Sequence, residues 1–152
     1  MRDPCDIIVF VLDAQRFAVR LDQVLRVVAA AEITPLPGAP AVVLGLFDLQ
    51  GHMVPVYDAS RRFGAAPAPV RASEQFLVLR TRAGPAALRV QQTLGVQPLG
   101  GLQPLPTERG DAGHHWFEGA TRLAGDLVLI HDIDRFLTAA ESRQLGEALE
   151  SL

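Results

Sequence analysis

Residues 45–58 read GLFDLQGHMVPVYD: an apolar run, a Gln-Gly pair, a second apolar run and then an aspartate. Two apolar runs around one small polar step form a hairpin pattern, because a tight turn needs a residue that tolerates positive φ and Gly51 supplies it. Gln50-Gly51 is therefore predicted to lie in an exposed turn between two strands whose investment is structural. At the start of the first strand, Gly45 reads as a close-packed position. An aspartate there is expected to cost on the order of several kcal/mol of stability or to abolish partner binding.

Outward from this hairpin the chain keeps to short elements and frequent punctuation. Residues 7–12, IIVFVL, form a continuous β-branched and aromatic run, which reads as a strand buried on both faces. Asp13-Ala14-Gln15 turns into a second strand over 16–20. Leu21, Val24, Leu25 and Val28 then fall at i, i+3, i+4 and i+7, which predicts a helix of about two turns. Pro35, Pro37 and Pro40 end it in an extended loop. The second half repeats this grammar, with a hairpin over 75–90 around Gly84-Pro85 and another around Ala124-Gly125-Asp126. GAAPAPVRAS at 64–73 reads as a seam between subdomains. GGLQPLPTERGDAGHH at 100–115 reads as a mobile loop, least ordered over 104–115. Leu145, Ala148, Leu149 and Leu152 recur at helical spacing, so the chain is expected to close in a helix over 139–152. Short strands with a turn every ten residues or so indicate a mainly β fold of barrels or sandwiches.

Composition narrows the function. The chain has 152 residues, 49% apolar and 6% aromatic, with a net charge of -3. That length buries roughly 70% of the unfolded surface, enough for one good core or two small ones that share packing. The basic residues are all arginine and scattered, so no basic stripe offers a phosphate footprint and nucleic-acid binding is not indicated. The single cysteine, Cys5, excludes an intramolecular disulfide, and the N-terminal apolar run of six residues is too short for a signal peptide or a membrane span.

Visible chemistry is scarce. His52, His114, His115 and His131, with Glu118 and Asp132, are the candidate metal ligands, but no pair has helical i, i+4 spacing and no cysteine joins them. Ser60, Ser73, Ser142, Ser151 and Cys5 are possible nucleophiles, and none sits in a G-x-S-x-G elbow. Gly100-Gly101 lacks the strand and helix of a phosphate cradle. Asp132 with Asp134, and Asp58 before ASRRF, read as helix caps rather than acid-base pairs. Neither a catalytic residue, a metal nor a cofactor is expected. Contiguous surface hydrophobics are left as the working parts.

The order IIVFVLDAQRFAVRLDQVLRVV, ITPLPGAPAVVLGLFDLQGHMVPVYD and GDLVLIHDIDRFL resembles the CheW family of bacterial chemotaxis coupling proteins, over about residues 7–138. The resemblance implies two small SH3-like five-stranded β-barrels packed together, with short helices and a C-terminal helix. Approximate subdomains are 14–72 for the first barrel and 7–13 plus 73–138 for the second. It also implies a non-enzymatic adaptor that couples chemoreceptor cytoplasmic tips to the regulatory domain of a CheA-type histidine kinase. Such a protein is cytoplasmic, is recruited to membrane-associated arrays, and is a monomer alone or weakly self-associating. Receptor contact in the family involves the groove between the barrels near this hairpin, which carries Gly45, Asp48, Leu49, Gln50, Gly51 and His52 over as partner-binding residues.

Gly45, Leu49, Gly51, Pro55 and Asp58 match the family pattern, but Asp48 stands where asparagine is usual, Gln50 where arginine is usual, and Gln91 at an acidic position. Glutamine brings one uncharged amide where arginine brings five donors and a fixed charge, so an arginine-dependent contact is weakened and a basic partner is favoured. This points to a divergent member serving a specialised system. Two other readings stand beside it. One is a CheW-like domain acting as a self-associating or inhibitory adaptor, with its terminal helix as a sticky face; the other is a metal enzyme using His114, His115 and His131.

Overall fold

The computed structural model describes residues 6–105 and 116–152. Ten strands, β1 (Asp6–Leu12), β2 (Gln15–Arg20), β3 (Val24–Ala29), β4 (Val43–Leu49), β5 (His52–Tyr57), β6 (Gln75–Thr81), β7 (Gly84–Val90), β8 (Gln92–Pro98), β9 (Phe117–Leu123) and β10 (Asp126–His131), form two five-stranded sheets. Their orders are β3-β6-β7-β5-β4 and β8-β1-β2-β10-β9. A short helix α1 (Ala59–Arg62) follows β5, and a longer one, α2 (Ala139–Glu150), ends the fold.

The hairpins are set by local chemistry. Asp13-Ala14, Gln50-Gly51 and Ala124-Gly125 each place two successive residues at positive φ, between 51° and 91°. Two such residues make a type I′ turn, whose twist matches that of the flanking strands. Gln50-Gly51 is exposed, as expected, and residues 7–12 are buried apart from the half-buried Val11.

Both sheets are built on one plan. The β4–β5 hairpin leads into a parallel pairing of β5 with β7, and the β9–β10 hairpin into a parallel pairing of β10 with β2. An isolated bridge then closes each sheet into a small barrel, Thr34 with Leu46 in the first and Gln103 with Ala120 in the second. Glycines permit both closures. A Cβ on Gly45 would lie 2.3 Å from the Thr34 carbonyl oxygen, and one on Gly119 would lie 2.7 Å from that of Gln103.

Three apolar clusters make up the core. Phe47, Val54, Val56, Phe76, Val78 and Ala87 fill the first barrel, and Ile7, Val9, Ala18, Val128 and Ile130 fill the second. The third and most extensive cluster lies between the barrels and takes the opposite faces of the same strands: Ile8, Phe10 and Leu12 of β1, Phe17 and Val19 of β2, Leu77 and Leu79 of β6, and Leu88 and Val90 of β7. A strand buried on both faces has no polar side to alternate, which is why IIVFVL reads as an unbroken run.

The structure corrects four expectations. The predicted helix over 21–28 is a single 3₁₀ turn, Leu21–Gln23, followed by β3, because Val24, Val27 and Val28 pair across to β6 and β-branched residues suit that ladder. The 75–90 hairpin turns at Arg82-Ala83, and Gly84-Pro85 opens β7 rather than forming the turn. The expected subdomain division at 14–72 and 7–13 plus 73–138 is also redrawn. β2 stays with β1 and pairs with β10, while β6 and β7 join β3, β4 and β5. The 64–73 stretch is therefore no boundary; it is a loop of the first barrel, held by Arg89 as described below. Of the predicted mobile loop, residues 106–115 lie outside the described residues.

α2 forms where expected and starts with a capping box: the Thr138 hydroxyl accepts from the Glu141 amide at 3.1 Å, and Glu141 Oε1 accepts from the Thr138 amide at 2.9 Å. Its Leu145 and Ala148 pack into the cluster between the barrels, and Gln144 donates to the Gly38 carbonyl at 3.0 Å. No helix among the described residues is long and apolar enough to cross a membrane.

Gly45→Ala is expected to destabilise by about 3 kcal/mol or more, since both the left-handed φ and the carbonyl oppose a methyl group. Gly125→Ala, at positive φ in open space, is expected to cost only about 1 kcal/mol. Urea unfolding midpoints of the two variants measure the difference, and equal costs would contradict the closure role.

Candidate functional site: a hairpin tip and an apolar groove

Phe47, Val54 and Val56 anchor the β4–β5 hairpin inside the first barrel, which leaves its tip in solvent. Asp48 Oδ1 accepts the Gly51 amide at 2.7 Å, so this carboxylate closes the turn on itself and partly spends its acceptor capacity there. Gln50 projects from the apex at φ 52°, and His52 and Met53 are exposed on the returning strand. Of the residues expected to contact partners, Asp48, Leu49, Gln50, Gly51 and His52 share this tip. Gly45 does not: it is buried against Thr34, and its place in the motif is explained by barrel closure.

A groove opens where the two barrels meet at β3 and β8. Each is the end strand of its sheet, and together they line a cavity of about 620 Å³ through Val27, Val28, Gln92 and Thr93. Gln75 Oε1 accepts from both the amide and the hydroxyl of Thr93, at 2.7 and 2.9 Å, and so ties the barrels together at this place. Leu25 and Val27 on β3 and Leu94 and Val96 on β8 are between 36% and 53% exposed, four of the nine large exposed apolar residues described. Single exposed apolar residues are ordinary, whereas four on two end strands make this the candidate surface.

Sequence reasoning missed the buried ionic supports. All five donors of Arg89 are used: Nε to Glu74 Oε1 at 2.6 Å, Nη1 to Asp58 Oδ2 at 3.2 Å and the Ala68 carbonyl at 2.9 Å, and Nη2 to the Pro69 carbonyl at 2.9 Å and Glu74 Oε2 at 3.1 Å. Burial opposes the charge on Glu74, but two guanidinium bonds and the Arg71 amide outweigh it and hold that carboxyl below its ordinary range. Asp58 receives one such bond, so burial wins there and pushes its carboxyl up. Asp58 also caps α1 through the Ser60 amide, the role read from the sequence. The AALRVQ stretch was legible as a family departure, yet nothing local in it announces that Arg89 reaches fifteen residues back. Gln91, at the position usually acidic, accepts the Asp13 amide at 3.0 Å and thereby fixes the β1–β2 turn.

His131 occupies in β10 the place that Tyr57 has in β5. It is 2% exposed, surrounded by the rings of Phe10, Phe17, Phe63 and Phe117, and neither ring nitrogen has a hydrogen-bond partner among the described residues. Burial pulls its pKa down to about 3. His114 and His115 lie outside the described residues, and no group of three or more potential metal ligands is assembled within them.

A family model described as a CheW-like domain matches residues 6–141. Curated relatives include "Chemotaxis protein CheW" of Rhizobium meliloti (strain 1021), 25% identical with 90% of this chain and 89% of that protein covered. "Chemotaxis protein CheW" of Thermotoga maritima is likewise 25% identical, with 87% of each covered. "Protein FrzA" of Myxococcus xanthus is 26% identical, with 86% of this chain and 84% of that one covered. Among solved structures, the scaffolding protein TtCheW from Thermoanaerobacter tengcongensis shares the fold, with a TM-score of 0.78 at 23% identity over 91% of this chain and 92% of that one.

A base whose folded pKa lies below its unfolded value of 6.5 costs stability as pH falls, because only the unfolded chain takes the proton until about pH 3. Between pH 6.5 and 4.5, His131 is expected to remove about 2 to 3 kcal/mol. The lowered carboxyls of Glu74 and Glu141 lose their contribution only below their unfolded value of 4.5. His131→Leu should flatten the upper window of a pH series of urea midpoints; an unchanged slope would remove His131 as its cause.

Proposed function

The chain belongs to the CheW-like domain family, and from that premise we propose that it is a non-enzymatic adaptor coupling chemoreceptor cytoplasmic tips to a CheA-type histidine kinase. It works in the cytoplasm, held at membrane-associated arrays by its partners. The observation that carries this reading is the pair of exposed apolar end strands, β3 and β8, lining one cavity where the barrels meet. The cavity mixes Val27, Val28 and Ala29 with polar Gln75, Gln92 and Thr93, and the exposed Leu25, Leu94 and Val96 on the same two strands offer anchoring points for the apolar face of a partner helix, whose side chains recur at i, i+3, i+4 and i+7. The Asp48–His52 tip supplies the polar part of the contact, with Gln50 at its apex.

The tip also supports a specialised partner set. Asp48 and Gln50 replace an asparagine and an arginine of the usual pattern, which removes one positive charge and adds one negative. Such a surface repels acidic partners and favours basic ones. The same exposed end strands favour a second reading, a self-associating adaptor outside the core array.

Pull-downs against receptor and kinase fragments encoded beside this chain, and against those of the organism's main chemotaxis cluster, test the proposal. The neighbouring set is expected to be retained and the main set to be weak. Gln50→Arg is expected to strengthen capture of the main set several-fold. Capture of the main set equal to that of the neighbouring set would refute specialisation. Retention of neither, with concentration-dependent light scattering, would favour the self-associating reading.

A further inference from the structure

A second opening of the seam is aromatic. Phe17 on β2, Phe63 after α1 and Phe117 on β9 lie nearly parallel, with interplanar angles of 5° to 9° and centroids 5.5 to 6.1 Å apart. Phe17 and Phe117 are buried, whereas Phe63 is 40% exposed. With Leu12 and Leu129 they wall a cavity of about 570 Å³ whose rim carries Asp13 and Gln15. None of its lining residues belongs to the β3–β8 groove.

The rim carries one carboxylate and no cation among the described residues. Asp13 is exposed at φ 52° in a two-residue turn whose backbone is held by the bond from its amide to Gln91, and its carboxylate has no ion-pair partner among the described residues. It also borders the adjoining cavity of about 440 Å³, which contains Asp58 and Glu74. Arg89 there has every donor engaged. Of the other arginines nearby, Arg62 is bound to Glu141 and the Phe136 carbonyl and Arg16 to Asp126, while Arg71 lines the adjoining cavity beside Glu74 and Arg61 lies near Asp58.

We propose that this slot docks a partner segment presenting phenylalanine or leucine beside an arginine or lysine, the apolar side chain packing on the phenylalanine stack and the cation meeting Asp13. A half-exposed ring on two buried parallel ones offers an apolar face with offset-stacking geometry, and the unpaired Asp13 carboxylate beside it selects the sign of the neighbouring charge. The site is separate from the groove, so the proposal stands whether or not the adaptor reading does.

Titrating isotopically labelled full-length protein with N-acetyl-Leu-Phe-Arg-amide tests it by amide chemical shifts. Shifts are expected at residues 12–17, 63–65 and 117, with the Leu-Phe-Glu peptide at least five-fold weaker and Phe63→Ala abolishing the response. Asp13→Asn, which leaves the apolar wall in place, is expected to bring the two peptides within two-fold of each other. Absence of binding, equal affinity of the two peptides for the unsubstituted protein, or shifts confined to β3 and β8 would overturn the proposal. Broadening of the same amides with protein concentration alone would overturn it too, by making a second copy the occupant.

Discussion

The rest of the molecule depends on the seam between the two barrels. Neither barrel has a large core of its own: among the described residues, six buried ones fill the first and five the second. What makes them stable is the face each turns to the other, where Ile8, Phe10, Leu77, Leu79, Leu88 and Phe136 are all 7% exposed or less. Burying a side chain of this size contributes about 1.5 to 3 kcal/mol, so a seam of this extent outweighs either interior. Both barrels must therefore form and dock as one unit, although the chain passes between them more than once.

Two arginines hold in place what the seam leaves loose. Arg89 clamps the Ala- and Pro-rich 64–73 loop to the first barrel through two backbone carbonyls and two acids. Arg62 joins α1 to the Phe136 carbonyl and to Glu141 at the start of α2, with its guanidinium over the rings of Trp116 and Phe136. A buried cation is costly unless its donors are met; Arg89 engages all five of its own and Arg62 four. The same logic makes His131 the odd residue: a buried base with no hydrogen-bond partner among the described residues, tolerated because neutral imidazole packs among phenylalanines.

The repeat shapes what is free for binding. Both hairpins carry a closure glycine, a type I′ turn and a capping aspartate, at Gly45, Gln50-Gly51 and Asp58 in one and at Gly119, Ala124-Gly125 and Asp132 in the other. Once these positions are assigned to folding, the side chains that the fold leaves unburied are those of Gln50, whose backbone makes the turn, and His52 at one tip, and the outward ones of β3 and β8. Departures from a family pattern at such exposed positions leave the packed scaffold untouched.

Much was legible from local patterns. The doubly buried run at 7–12, the Gln50-Gly51 turn, the Asp58 and Asp132 caps and the terminal helix follow from periodicity and turn chemistry, which depend on neighbours in sequence. The helix expected over 21–28 failed because valines at helical spacing serve equally well as a strand when β6 lies alongside, and no local signal reports β6. The 64–73 loop was misplaced for the same reason, since its anchor Arg89 lies beyond the next hairpin. By itself the sequence determined most of the strands, the Gln50-Gly51 and Ala124-Gly125 turns, the aspartate caps and the exposed tip. Tertiary structure decided which strands share a barrel, which glycine is closure rather than contact, and where the groove opens, because all three depend on pairings between residues distant in the chain.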